Sequence, residues 1–355
     1  MSRFFSNKYD ALTPYTPGEQ PRDNQYIKLN TNESPYMTSE LAVKYASEEA
    51  KRMRLYSDPE CTDLVKKAAD YFGIETDEIV FTNGSDEALN FAVMAFCDEK
   101  TGAVFPDITY GFYPVICSLN NIDYTEIPLN DDLTLNTEDY YRTGKTVFLA
   151  NPNAPTGVAL PLEEVERIVK ENPDTVVVVD EAYVDFGTES AVGLIHEYDN
   201  LLVVQTMSKS RSLAGGRLGY AIGNRELIRD LNTLKYSTNP YNVNRMTMAA
   251  GIGAFEDDQY MKDNCRKIIE TREKTKERLK ALGFILTDSK ANFLFAKHPM
   301  ISGGDLYQKL KERNVLVRYF AKPRLMEYTR ITIGTEEQMD IYIRETEDIL
   351  NGVKE

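Results

Sequence analysis

Short apolar runs recur through the first two-thirds of the chain, and amphipathic stretches separate several of them. Ile79-Val80-Phe81, Ala103-Val104-Phe105, Thr146 to Ala150, Val176 to Val179, Leu201 to Val204 and Gly219 to Ile222 have the length and β-branched or aromatic content of strands. Between them, Ser85 to Cys97 places Leu89, Ala92, Val93 and Phe96 on one helical face. Leu162 to Lys170 and Glu226 to Leu234 read the same way. Four consecutive valines, Val176 to Val179, with no polar alternation predict a strand covered on both faces, as in a parallel sheet. Strands alternating with helices predict an α/β fold with a mainly parallel, doubly wound sheet. After about residue 260 the texture changes. Asp263 to Leu282 is a long, charged helical pattern, and Ile285-Leu286, Phe293 to Ala296 and Val315 to Val317 predict a small α+β domain. No internal repeat, low-complexity tract or flexible linker interrupts the pattern.

Composition narrows the function. The 355 residues are enough for two domains, and the formal net charge is -15. That charge argues against a nucleic-acid partner, because phosphate backbones select basic surfaces. No apolar stretch approaches membrane-spanning length. The N-terminus has no long apolar core of a secretory signal, so the cytoplasm is the expected compartment. Cys61, Cys97, Cys117 and Cys265 are scattered with no C-x-x-C pair, so they read as buried thiols, and no metal site is expected.

Two strand ends carry the chemistry. Asp180 closes the valine run, and ligands of open α/β sheets bind beyond the carboxyl ends of the strands. An isolated aspartate there ordinarily caps the next segment. A poorly hydrated carboxylate, however, calls for a cationic partner such as a protonated ring nitrogen. Lys209 lies just beyond Leu201 to Val204, among Thr206, Ser208, Ser210 and Ser212, with Arg217 eight positions on. A single loop lysine is ordinarily solvated. In this setting its amine can condense with an aldehyde, while hydroxyls and a guanidinium hold a phosphate. Gly84-Ser85-Asp86 opens the helix at Ser85, whose free amides make an anion site.

These segments, together with Leu12 to Gly18, Lys28 to Tyr36, Tyr56 to Pro59, Thr82 to Ala88, Asn151 to Gly157 and Arg330 to Thr335, resemble the fold-type I aminotransferases that use pyridoxal 5'-phosphate. Within them the resemblance is closest to the histidinol-phosphate aminotransferase family. It runs almost end to end, and the ordered set is far more specific than any single motif. It implies an aspartate-aminotransferase-like fold with an N-terminal segment (1-45) packing with a small C-terminal α+β domain (261-355), and a large cofactor-binding domain (46-260). Lys209, Asp180 and Tyr183 would be catalytic. Gly84, Ser85, Asp86, Thr206, Ser208 and Arg217 would cradle the cofactor phosphate. Tyr110 and Ala182 would cover the two ring faces, and Tyr183 would meet the phenolic oxygen. Tyr56 would reach the cofactor of a second subunit, making an obligate homodimer with shared sites.

One position departs from the pattern. Many relatives carry asparagine before Pro-Thr-Gly, whereas this chain has Ala154, so either Asn153 supplies the donor through a shifted loop, the favoured expectation, or Tyr183 alone meets the phenolic oxygen. For substrates, the resemblance implies that Arg330 clamps the carboxylate of glutamate or 2-oxoglutarate. Arg318 would meet the phosphate of histidinol phosphate with Tyr15 assisting, Asn32 would line the pocket, and Arg324 is a looser phosphate candidate. The rival readings are an aminotransferase for aromatic or other amino acids, a lyase resembling threonine-phosphate decarboxylase, and a non-catalytic cofactor-sensing module. The last lacks an appended DNA-binding segment and retains Lys209, Asp180 and Arg217.

Overall fold

The computed structural model describes residues 2–21 and 26–354. In chain order its strands are β1 (Ile27–Lys28), β2 (Ile79–Asn83), β3 (Ala103–Pro106), β4 (Tyr124–Ile127), β5 (Thr146–Ala150), β6 (Val177–Asp180), β7 (Leu201–Thr206), β8 (Leu218–Gly223), β9 (Ile285–Leu286), β10 (Phe293–Lys297), β11 (Val315–Leu316), β12 (Arg318–Tyr319) and β13 (Tyr328–Thr332). The α-helices are α1 (Glu40–Ala50), α2 (Thr62–Phe72), α3 (Ser85–Phe96), α4 (Tyr113–Leu119), α5 (Leu162–Lys170), α6 (Arg225–Thr238), α7 (Arg245–Glu256), α8 (Asp258–Ala281), α9 (Gly303–Glu312) and α10 (Glu336–Lys354).

Seven strands form the large sheet in the order β2-β8-β7-β6-β5-β3-β4. All neighbours run parallel except β8, which is antiparallel to both β2 and β7. The valine run explains why β6 is central. Val177 and Val179 join one apolar core with Val147, Val203 and Ile168 of α5. Val178 joins the opposite core with Phe148, Val204 and Leu89 of α3. Alternate residues of a strand face opposite sides, so a strand apolar at every position must be covered on both. Each fully buried valine contributes about 1.5–3 kcal/mol, so this strand can carry a buried carboxylate at its end.

The small domain is an antiparallel sheet in the order β12-β13-β10-β9. Its core joins Phe293 and Ile331 of that sheet to Ile268 of α8, Leu310 of α9 and Tyr342 of α10. From the N-terminal segment, β1 adds to β11 in parallel, and Leu29 enters the same core.

The expected borders at 45 and 260 fall inside helices. Helix α1 docks on α7 so closely that a Cβ at Gly253 would lie 2.7 Å from the Ala42 Cα, which ties the whole of α1 to the large domain. Helix α8 begins at Asp258 and contributes Met261 and Cys265 to the small-domain core.

Candidate active site

The carboxyl ends of β6 and β7 open into a cleft of about 770 Å³ between the two domains. Asp180 lies at its floor, with Ala150 of β5 and Val204 of β7 in register on either side. Its Oδ2 accepts from the Tyr113 hydroxyl at 2.9 Å. Its Oδ1 accepts from the Ala182 amide at 3.2 Å. Burial pushes this carboxyl up to about 6, against the pull of those two donors. Among the described residues, no lysine or arginine forms an ion pair with it. Tyr113 was not singled out from the sequence. Pro114 marks the start of α4, but nothing local points to this contact.

Lys209 sits on the loop between β7 and β8 and lines the same cleft. Its Nζ donates to the Thr31 carbonyl at 3.2 Å and lies 6.0 Å from the centre of the Tyr183 ring. Burial, helped by the nearby Arg330 cation, lowers this amine to about 8, while Glu33 and Asp86 oppose the shift. An amine so placed is partly uncharged near neutral pH, which is the state a nucleophile or base needs.

An anion cradle stands beside it. Gly84 precedes α3 at φ +77°, and a Cβ there would lie 2.4 Å from Arg217 Nη2. Only glycine allows that approach. No side chain caps α3, so its first amides are free for a ligand. Thr206 Oγ1 donates to Ser208 Oγ at 3.0 Å, and Arg217 holds Asp86 at 3.2 Å. Ser85, Asp86, Thr206, Ser208 and Arg217 all line the cleft. Gly219, also missed, lets β8 pass against this turn, because a Cβ there would meet Ser85 N at 2.3 Å. A glycine inside an apolar strand run was the available sign of close backbone approach.

Tyr110, Ala182 and Tyr183 line the cleft as well. The Tyr110 hydroxyl donates to Asp86 Oδ1 at 2.8 Å. Tyr183 accepts from Asn32 Nδ2 at 2.9 Å. Asn153 does not join them. Its amide donates to the Ile108 carbonyl at 2.9 Å and to Thr156 Oγ1 at 3.0 Å, and its Oδ1 accepts from Thr109 at 2.8 Å. Both amide protons are therefore used, one by Thr156 on the same loop and one by the Ile108 carbonyl on the β3–α4 loop, and the side chain lines a separate small void. The expected replacement of the missing donor by Asn153 is thus corrected.

The opposite wall comes from the small domain and the N-terminal segment. Arg318 and Arg330 are cross-strand partners on β12 and β13, and both line the cleft. Arg330 donates to the Asn30 carbonyl at 2.9 Å and lies 5.3 Å from the Phe293 ring centre and 5.5 Å from that of Phe320. Its Nε is buried with no partner. Arg318 donates to the carbonyls of Thr16 and Pro17 at 3.1 and 3.2 Å. Tyr15 meets Tyr110 edge-on at 6.1 Å. Burial raises the Tyr15 hydroxyl, and the two arginines oppose the rise.

Two expected residues lie elsewhere. Arg324 is held by Asp107 at 2.9 Å and by the Leu129 and Asn130 carbonyls at 2.8 Å each. It does not line the cleft, so its candidate role is withdrawn. Tyr56 is 79% exposed, outside the cleft of its own chain, and stacks on Tyr241 at 4.7 Å. Glu33 and Lys322 line the cleft and were not expected.

The donor set fits pyridoxal 5'-phosphate. A carboxylate without a cation suits a protonated ring nitrogen, an amine of lowered pKa suits an aldehyde, and a glycine-backed arginine beside a helix N-terminus suits a phosphate.

Comparison with known proteins agrees. The family model described as aminotransferase class I and II matches residues 24–345. A histidinol-phosphate aminotransferase of Brachyspira hyodysenteriae is 51% identical over 354 residues, covering 99% of this chain and 100% of that protein. Among solved structures, the histidinol-phosphate aminotransferase from Clostridium acetobutylicum has a TM-score of 0.84 at 24% identity, covering 91% of this chain and 99% of that one. The L-threonine-O-3-phosphate decarboxylase from Porphyromonas gingivalis has a TM-score of 0.79 at 22% identity, again covering 91% and 99%. These two structures share the fold. With a floor and cradle built for this cofactor and a family match over most of its length, the chain belongs to the class I and II aminotransferases.

Proposed function

We propose that this chain transfers the amino group between glutamate and imidazole acetol phosphate, giving histidinol phosphate and 2-oxoglutarate, as a cytoplasmic homodimer. One observation carries the substrate choice. Two guanidiniums, neighbours in cross-strand register, line the cleft that holds Lys209. One cation serves the carboxylate of glutamate and the other serves the phosphate of histidinol phosphate, which has no carboxylate. The relative that matches half of the sequence identically over its whole length supports the same reading.

The residues divide the work. Bound pyridoxal phosphate supplies the aldehyde that takes up the amino group and a ring that accepts electrons. Asp180 would keep the ring nitrogen protonated, and its own negative charge would be stabilised in return. The amides of Ser85 and Asp86, the hydroxyls of Thr206 and Ser208, and Arg217 would hold the phosphate. Tyr110 and Ala182 would flank the ring. Lys209 Nζ would take the proton from the substrate Cα and pass it to the carbon of the cofactor's aldehyde group, a role its lowered pKa serves. Arg330, which lines the cleft, would clamp the carboxylate. Arg318 and Tyr15 meet the phosphate.

Tyr56 and Tyr241 form an exposed stacked pair, and Arg245 fixes the Tyr56 carbonyl at 3.0 Å. This pair would face a second copy, with Tyr56 completing that copy's cleft. The test offers cofactor-loaded protein histidinol phosphate, phenylalanine or threonine phosphate in turn. Pyridoxamine phosphate should form fastest with histidinol phosphate and be reconverted by 2-oxoglutarate. Faster reaction with phenylalanine would overturn the substrate, and carbon dioxide released from threonine phosphate would identify a lyase.

A further inference from the structure

Asn32 is almost fully buried, 1% exposed, at φ +57°, a conformation that asparagine tolerates better than most residues. Its contacts have a direction. The Asn32 backbone amide donates to Thr332 Oγ1 at 2.9 Å. The Thr332 hydroxyl then donates to Asn32 Oδ1 at 3.0 Å. Asn32 Nδ2 donates to the Tyr183 hydroxyl oxygen at 2.9 Å. A flipped carboxamide would put an N–H against Thr332 and leave the buried Thr332 proton without its acceptor, so the orientation is set by hydrogen-bond satisfaction. The segment is anchored further by Asn292, whose amide donates to the Asn32 carbonyl at 2.9 Å.

The consequence falls on Tyr183. Its oxygen already accepts from Asn32, so its own proton is left to point into the cleft. The Tyr183 ring is fixed edge-on against Phe293 at 5.1 Å, so the hydroxyl has little freedom to turn elsewhere. Ala154, which also lines the cleft, offers no side-chain donor. We propose that Asn32 is a positioning residue whose relay from Thr332 makes Tyr183 a one-way donor toward an anionic oxygen of the ligand. On the functional reading above, from which this follows, that oxygen is the phenolic oxygen of pyridoxal phosphate. Asn32 therefore acts through Tyr183 rather than on the substrate. Because Thr332 lies on β13 of the small domain, the polarity of Tyr183 depends on that domain being docked.

Absorbance of the cofactor-loaded protein, titrated with pH, reads this directly. A donor to the phenolic oxygen stabilises its anion, so losing the donor raises the pH at which the bound chromophore gives up its proton. Asn32→Asp keeps the shape and the tolerance for positive φ but turns the donor into an acceptor, drawing the Tyr183 proton away from the cleft. Its midpoint should rise by about one to two pH units, the size of one hydrogen bond to a charged acceptor. Tyr183→Phe should rise similarly, and the double variant should rise no further than Tyr183→Phe alone.

Additive shifts would overturn the proposal, because a new carboxylate acting on the ligand through space would persist without the tyrosine hydroxyl. Thr332→Val provides an uncharged second route. It frees the carboxamide to flip and should move the midpoint the same way by a smaller amount. Unshifted midpoints in both Asn32→Asp and Thr332→Val, with a normal wild-type band, would sink the proposal alone. Absence of any Lys209-dependent band in the wild type would sink the functional reading and this proposal together.

Discussion

The two walls of the cleft are built differently. The large-domain wall draws Asp180, Lys209, Thr206, Ser208 and Arg217 from 38 consecutive residues that span β6, β7 and the loop into β8. Backbone pairing of the buried strands β6, β7 and β8 fixes the strand ends and the loop that carry them. The other wall takes Tyr15, Arg318 and Arg330 from segments some 300 residues apart. There, Arg330 donates to one backbone carbonyl of the N-terminal segment and Arg318 to two. One wall is finished before any ligand arrives. The other is held by contacts that a ligand can replace. Fixed groups suit the cofactor, which every catalytic cycle shares. Replaceable contacts suit a pocket that must admit a carboxylate in one half-reaction and a phosphate in the other.

The finished wall breaks most completely at Lys209. Lys209→Ala should lower turnover by at least about 10³-fold, within the range expected for losing a positioned acid–base group, and should remove the cofactor's lysine-dependent absorbance. Lys209→Arg should be equally inactive, because a guanidinium keeps the charge but cannot release its proton. Rapid-scan absorbance with glutamate checks both. Activity in Lys209→Arg would mean that charge, not proton transfer, is what the site needs.

Asp180 tests the same wall through stability. Its folded pKa is raised to about 6 from an ordinary 3.8, so the fold prefers the protonated form. The cost of the buried anion is absent below pH 4, grows as pH rises through 4 to 6, and is complete above. From a shift of this size it is roughly 3 kcal/mol. The cofactor-free Asp180→Asn protein should therefore unfold a few degrees higher than wild type at pH 8. The gap should close as pH falls toward 4. With cofactor present the order should reverse, because only the carboxylate pairs with a cationic ring nitrogen. Equal melting of the two cofactor-free proteins at pH 8 would show that Asp180 is not strained by burial.

The contrast between walls also explains what could be read from sequence. Asp180 and Lys209 were legible because each ends an apolar run, and a strand end is a local signal. The antiparallel direction of β8 was not drawn, although the short β7–β8 connection favours it; parallel neighbours need a longer crossover. Tyr113 was hidden because its partner Asp180 is 67 positions away, and nothing local distinguishes it among 22 tyrosines. Asn153 misled because its motif fixes the loop but not the direction of its amide, which the Ile108 carbonyl and Thr156 take up. Arg324 misled for the same reason, since one acidic residue and two carbonyls far along the chain capture it. Asn32 was placed at the pocket, but its hold on Tyr183 joins residues 151 apart.

Arg318 sharpens the comparison with the smallest effect. Its two donors now hold the carbonyls of Thr16 and Pro17, so a substrate phosphate gains only the difference between a charged acceptor and two neutral ones. Arg318→Gln should accordingly reduce kcat/KM for histidinol phosphate by about tenfold, the low end for a charge-assisted contact, and change the glutamate half-reaction less than about twofold. Residues 11–20 should also become more open to limited proteolysis, because the same side chain pins that segment. Half-reaction kinetics and proteolysis then separate its two jobs. Loss of glutamate activity equal to the loss with histidinol phosphate would make Arg318 and Arg330 one general anion clamp and erase the division of labour between a carboxylate arginine and a phosphate arginine.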